Sequence, residues 1–241
     1  MASPIVADST DSQNVLKNGD DAILRALEYT GFGDFQGFTR SLVAPELTTI
    51  NDDKTPFLHD RINGRPIWRV PFMNISINSR TFDSTGKGSD LRRFDVYLDP
   101  ETGQLLKIIS KYEGVDTNIA PEPPAEMAEM QLRNRGELYI DFPPEPTPIN
   151  FMEALNPCND TSKEISASLI IFSIKPLYET PRAVWAITRR GIGPWHFHPP
   201  RIPNAPRVSL PLYMRNHSRS VIDATTGACL FSTTATVEFR E

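Results

Sequence analysis

One short phrase occurs twice in this chain, and it constrains the fold more than any other feature. Asp99-Pro-Glu-Thr102-Gly103-Gln-Leu-Leu106 recurs as Asp223-Ala-Thr-Thr226-Gly227-Ala-Cys-Leu230, both reading Asp-x-x-Thr-Gly-x-x-Leu. Each copy follows an extended apolar run and leads into another. Upstream of each lies a tryptophan in strand-like sequence, Ile67-Trp68-Arg69-Val70 and Val184-Trp185-Ala186-Ile187. An internal repeat sets architecture before any single residue does. This one predicts an α+β protein of two related units, each a short helix packed on an antiparallel sheet.

The phrase is turn chemistry. An aspartate at its head can accept backbone N–H groups from the residues that follow. Pro100 presets φ for the second turn position. Glycine at the fifth position permits positive φ, as a three- to five-residue hairpin with a bulge requires. The flanks fit strands: Phe94, Val96 and Leu98 alternate with Arg93, Asp95 and Tyr97, a period of two. Asp99 and Asp223 therefore read as heads of hairpin turns rather than as a catalytic pair.

A strand ending Val-x-x-Asp-x-x-Thr-Gly-x-x-Leu, with a Trp-x-Val strand before it, resembles the PepSY family of small extracytoplasmic α+β domains. Copy one supplies Trp68-Arg-Val70 and Val96-Tyr-Leu-Asp99-Pro-Glu-Thr102-Gly103. Copy two supplies Trp185-Ala-Ile187 and Val221-Ile-Asp223-Ala-Thr-Thr226-Gly227. A helix at Asp20–Tyr29 suits the pattern. The resemblance covers about half the chain. It implies a periplasmic or secreted module that inhibits, chaperones or otherwise binds a protein partner or envelope component. The chain departs from the family in its longer loops and proline-rich middle.

Length and composition narrow the rest. A chain of 241 residues can hold one large or two small domains. Its 22 prolines argue for strands punctuated by turns rather than for a helical bundle. A net charge of −5 gives no general affinity for polyanions, and no recognised nucleic-acid module is present. No run of eighteen apolar residues occurs, so a membrane span is not expected. The first residues, Met1-Ala-Ser-Pro-Ile-Val-Ala-Asp8, lack the basic and apolar regions of a signal peptide, leaving either a cytoplasmic protein or a processed one. Cys158 and Cys229 are too few for a disulfide framework. They read either as one disulfide or as unlinked thiols, with Cys229 sharing strand parity with Phe231 and pointing inward.

The chain divides into a polar N-terminus (1–18), unit one (19–113), an acidic, proline-rich connector (114–148) and unit two (149–241). Asn18 or Asp20 can cap the first helix, Ile23, Leu24 and Leu27 give it an apolar face, and Gly31 stops it. Trp68, Val70 and Phe72 share one parity while Ile75 and Ile77 fall on the other, which predicts a bulge. Strands are expected near Thr39–Val43, Ile67–Ile77, Ser166–Lys175, Arg182–Arg189, Pro206–Met214, Ser218–Asp223 and Ala228–Phe239. Short helices are expected at Pro124–Arg135 and Ile149–Leu155. Leu138, Ile140 and Phe142 alternate as one further strand.

Charge is uneven. Residues 180–220 hold seven arginines and no lysine, aspartate or glutamate, while residues 116–146 hold seven acidic and two basic side chains. Arg182, Arg189, Arg190, Arg207 and Arg215 are interleaved with Trp185, Trp195 and Tyr213. Guanidinium forks bind carboxylates bidentately and stack on aromatic rings. These eight residues are the candidate ligand-binding set, for a protein or peptide of anionic character. The bland alternative is a solvated sheet face.

In Trp195-His196-Phe197-His198-Pro199-Pro200, an extended backbone puts His196 and His198 on one side, where both could grip a metal ion. No spacing supplies further ligands, so no cofactor is expected beyond that possible metal, and a proline-stiffened loop is the alternative. Gly86-Lys87-Gly88-Ser89 lacks the strand–loop–helix setting of a phosphate loop. No motif of a serine hydrolase, zinc protease, redox dithiol or dinucleotide fold occurs. The expectation is a non-enzymatic extracytoplasmic binding or inhibitory module, the alternative a metal-dependent enzyme or metal-binding protein using His196 and His198.

Overall fold

The computed structural model describes residues 16–34, 44–49, 63–76, 91–112, 137–155, 164–175, 178–197 and 210–239. The expected strand at Thr39–Val43, the helix at Pro124–Arg135, the Gly86–Ser89 loop and nearly all of the polar N-terminus lie outside them.

Helix α1 spans Gly19–Thr30. Its start is fixed by Asn18, whose Oδ1 accepts the backbone N–H groups of Asp20 and Asp21 at 2.8 and 3.0 Å. Its end is Gly31 at φ 70°, whose N–H returns to the Leu27 carbonyl. Glycine is needed here twice over, since a Cβ would also sit 2.5 Å from the Asn150 side chain. Ala22, Ala26 and Tyr29 face the sheet, whereas Leu24, expected on the apolar face, is exposed.

Among the described residues, nine strands form one antiparallel sheet. They are β1 (Glu46–Thr49), β2 (Pro66–Ser76), β3 (Leu91–Leu98), β4 (Leu105–Tyr112), β5 (Glu137–Asp141), β6 (Glu164–Lys175), β7 (Tyr178–Phe197), β8 (Leu210–Asp223) and β9 (Cys229–Phe239). Their order is β1-β2-β3-β4-β6-β7-β8-β9, with β5 pairing the far end of β6. The bulge expected in β2 falls between Phe72 and Ile75. β7 runs eight residues beyond Arg189, because it pairs continuously with β8 from Val184↔Asp223 to Phe197↔Leu210. The same ladder makes β8 one strand where two were expected. β1, not foreseen, pairs Leu47 with Trp68.

The two Asp-x-x-Thr-Gly-x-x-Leu turns have the same hydrogen bonds. Asp99 Oδ1 accepts from the N–H of Glu101 and Thr102, and Asp223 Oδ1 from those of Thr225 and Thr226, all at 2.9–3.0 Å. The Gly103 and Gly227 N–H groups donate to the Asp99 and Asp223 carbonyls, at φ 65° and 74°. Each strand carries the same register shift, before Leu98 and before Ile222. Each turn is also docked identically. The Pro100 carbonyl accepts the Leu16 N–H, and the Ala224 carbonyl accepts the Ile149 N–H, both at 3.0 Å. Leu16 and Ile149 lie just ahead of the residues that cap the two helices.

The second helix, α2 (Phe151–Leu155), is a single turn. Asn150 and Glu153 close it reciprocally, each backbone N–H donating to the other's side chain at 2.9–3.0 Å. It packs on the same side of the sheet as α1. One apolar cluster runs beneath both, from Val70, Phe94 and Ile108 to Ile165, Trp185 and Ile222. Phe32, in the 3-10 turn Phe32–Asp34 after α1, touches Phe72 and Phe94 with ring centroids 5.1 Å away. Phe151 continues the stack to Phe94 at 5.7 Å and to Trp185 at 5.8 Å. A second cluster of Ile67, Tyr97, Leu106, Phe142, Phe172 and Val184, among others, occupies the opposite face. No helix among the described residues is long and apolar enough to cross a membrane.

A β-branched side chain at the positive-φ position of either turn is strained. Gly103→Val and Gly227→Val should each lower unfolding free energy by about 1–3 kcal/mol, read by thermal or urea denaturation. Unchanged melting of both variants would contradict this role of the turns.

Candidate functional site

Register ties the two hairpins together position by position. Trp68 faces Leu98, the residue before Asp99, and Trp185 faces Ile222, the residue before Asp223. Two residues further on, Val70 faces Val96 and Ile187 faces Ser220. Two more on, Phe72 faces Phe94 and Arg189 faces Ser218. Across the turns, Val96 faces Ile108 and Ser220 faces Ser232. The first hairpin thus presents Phe72, Val96 and Ile108 to the helices, all within the apolar cluster. At the matching positions the second presents Arg189, Ser220 and Ser232.

This substitution has a physical setting. Phe32 and α1 cover the first hairpin, while the single turn of α2 reaches only the Trp185 end of the second. Arg189 is 6% exposed, and its Nη1 donates to the Ser220 Oγ at 3.1 Å. Ser220 Oγ lies 3.4 Å from Ser232 Oγ. Ser220 is buried and Ser232 exposed, so the row runs from the interior to the surface of β9. Burying a guanidinium is costly, and the Ser220 hydroxyl supplies one acceptor for it. Sequence reading singled out Arg189 and missed both serines. Aligning the two phrases on their aspartates places Ser220 against Val96 and Ser232 against Ile108, and that was the available signal.

The single arginine–aromatic face expected from sequence is divided. Arg182 and Arg189 differ in strand parity, so they leave β7 on opposite faces of the sheet. Trp185 is fully buried between Phe151 and the sheet, and its indole N–H donates to the Ile149 carbonyl at 2.8 Å. It holds the approach to α2 and is not part of an exposed lining. Arg182 Nη1 lies 3.4 Å from Asp223 Oδ2. Burial works against the Asp223 carboxylate. The N–H groups of Thr225 and Thr226, the Thr226 hydroxyl and the Arg182 charge outweigh it and hold the carboxyl below its usual range. The carboxylate serves the turn.

The other candidates are placed by backbone alone. Arg190 pairs with His217, Arg215 with Ile192, Tyr213 with Pro194, Trp195 with Leu212 and His196 with Pro211. β7 therefore carries His196 in a strand, where a loop was the alternative. Arg207 and His198 lie outside the described residues, as does Cys158. Among the described residues, no three histidine, cysteine, aspartate or glutamate side chains group closely enough to hold a metal ion. Cys229 is exposed on the edge strand, not turned inward as its parity with Phe231 suggested.

The backbone presents a further site. β1 and β9 end the sheet. β1 is four residues long, with Glu46 ion-paired to Arg69 at 2.6 Å. β9 is eleven residues long, contains no proline and carries one charge, Glu238. Among the described residues no further strand pairs with β9 along residues 231–239. Short length, proline and lysine are the usual protections of an edge, and β9 has none of them.

Searches of protein-family models, of curated proteins and of solved structures found no match to this chain.

Because the Asp223 carboxyl sits below the ordinary aspartate value of about 3.9, its contribution to stability is full above that value and is lost as pH falls through the lower folded value. Asp223→Asn should therefore melt below the wild type at neutral pH. The gap should close as the pH is taken below that value, as followed by circular dichroism. A gap constant with pH would contradict the assignment.

Proposed function

We propose that the chain is a pair of PepSY-like α+β units, over 19–113 and 149–241, that acts outside the cytoplasm as a non-enzymatic binding module. It holds an extended segment of a protein partner along the outer edge of β9. The observation that carries the reading is the edge over residues 231–239: nine residues of strand backbone, uncharged up to Glu238, with outward N–H and C=O groups. An added strand satisfies such groups with main-chain hydrogen bonds and leaves specificity to the side chains beside it.

The duplication is supported by the matched turn hydrogen bonds, the matched docking of Leu16 and Ile149, and the matched register of Trp68 and Trp185. It is also supported by element order, since a helix precedes β1-β2-β3-β4 and another precedes β6-β7-β8-β9. The two sets meet where β4 pairs with β6. The location follows from the PepSY resemblance. An anionic partner is favoured by the ribbon behind β9, where β7 and β8 carry Arg189, Arg190, Arg215 and Arg219.

Adjacent residues of a strand direct their N–H groups to opposite edges, so only one of Thr234 and Ala235 donates outward. Thr234→Pro and Ala235→Pro should therefore behave differently. One should keep the wild-type melting temperature yet bind a labelled nine-residue peptide of alternating Thr and Val at least about tenfold more weakly. The other should lose about 3 kcal/mol of stability through its bond to β8. Equal peptide binding by wild type and the stable variant would refute edge pairing.

A further inference from the structure

We infer that the Arg189–Ser220–Ser232 row selects an acidic side chain in the strand that pairs with β9, an inference that rests on the edge-pairing reading above. Hydrogen-bond direction along the row sets the preference. A guanidinium donates and cannot accept. Arg189 Nη1 donates to the Ser220 Oγ, which leaves the Ser220 hydroxyl hydrogen to be directed elsewhere. Its neighbour on β9 is Ser232 Oγ, at 3.4 Å. With Ser232 accepting there, its own hydroxyl hydrogen turns outward from an exposed position on the edge strand. Hydroxyls in such a chain polarise one another, and the cation at the buried end makes the last of them a stronger donor.

A strand added to β9 places one residue beside Ser232 on the same face, at the spacing of a directly opposed pair, about 4.5–5.5 Å between Cβ atoms. The polarised donor favours an acceptor at that position. A carboxylate is the best acceptor, because a hydrogen bond to an ionised group is about twice as strong as a neutral one. A lysine there meets a donor and the arginine charge behind it. The first hairpin lacks the device, since Phe72, Val96 and Ile108 hold its matching positions. The row is thus a specificity element of β9, and Arg189 is a positioning residue that acts through two hydroxyls.

The test uses the full chain and three labelled nine-residue peptides of alternating Thr and Val, with Glu, Leu or Lys at the centre. Fluorescence polarisation should show the Glu peptide binding about tenfold tighter than the Leu peptide and the Lys peptide weakest. In Ser232→Ala and in Arg189→Met the Glu-to-Leu ratio should fall to about one. Ser232 is exposed, so its variant keeps the test valid even if Arg189→Met folds poorly. Equal binding of Glu and Leu peptides by the wild type would overturn the selectivity and leave edge pairing standing. A ratio unchanged in Ser232→Ala would also overturn it. Absence of binding by all three peptides would overturn edge pairing and the selectivity with it.

Discussion

The architecture depends on one backbone contact made twice, in which the carbonyl after each turn aspartate accepts the N–H of the chain approaching a helix. Pro100 accepts from Leu16 and Ala224 from Ile149. A helix as short as α2 depends on such tertiary anchors, since one turn is far below the length at which a helix is stable alone. With this contact, the helix starts where its partner hairpin ends, and its apolar residues fall on the sheet. Around the first turn a second layer of bonds is added. Arg25 of α1 donates to the Gly103 carbonyl at 3.3 Å and to the Pro144 carbonyl at 3.2 Å, and pairs with Glu145 at 2.9 Å. One side chain thereby ties helix, turn and the segment following β5. Around the second turn Trp185 and Thr147 both donate to the Ile149 carbonyl.

From these anchors follows the difference between the two ends of the sheet. α1 and the Phe32 turn lie over β2 and β3, where each buried aromatic contributes through area and through edge-on ring contacts of about 0.5–1.5 kcal/mol. α2 gives Phe151 to the same stack and goes no further. Beyond Trp185 and Ile187 that face carries Arg189, Ser220 and Ser232 where the other hairpin is apolar. The long β7-β8-β9 ribbon thus ends in a lightly charged edge with a buried cation two strands behind it. Structural economy alone would have repeated the apolar residues, as the first hairpin does.

Much of the frame was legible in the sequence. The Asp-x-x-Thr-Gly-x-x-Leu phrase specified both turns, because each residue in it has one local task. Asn18 and Gly31 marked α1, and the phase slip between Phe72 and Ile75 marked the bulge. Long-range pairing was not legible. The glycines and prolines just after Arg189 read as the end of a strand, yet continuous pairing with β8 keeps Pro194 in β7, opposite Tyr213. Parity misled on Cys229, because the register shift before Ile222 inserts a residue in β9, so that Phe231 pairs with Val221 while Cys229 pairs with Ile222 on the other face. The candidate site was half legible. Arginine enrichment drew attention to Arg182 and Arg189. That they leave the sheet on opposite faces, and that Trp185 is core, emerge once the register is known. Ser220 and Ser232 are unremarkable residues that gain meaning only beside Val96 and Ile108.

Hydrogen–deuterium exchange along Cys229–Phe239, resolved to single amides by NMR, tests the central claim most directly. The account predicts alternation in the free protein, with amides directed at β8 protected and those directed outward exchanging rapidly. The outward set should gain protection when the central-Glu peptide is added. Uniform protection of β9 in the free chain, or outward amides unchanged at saturating peptide, would contradict it.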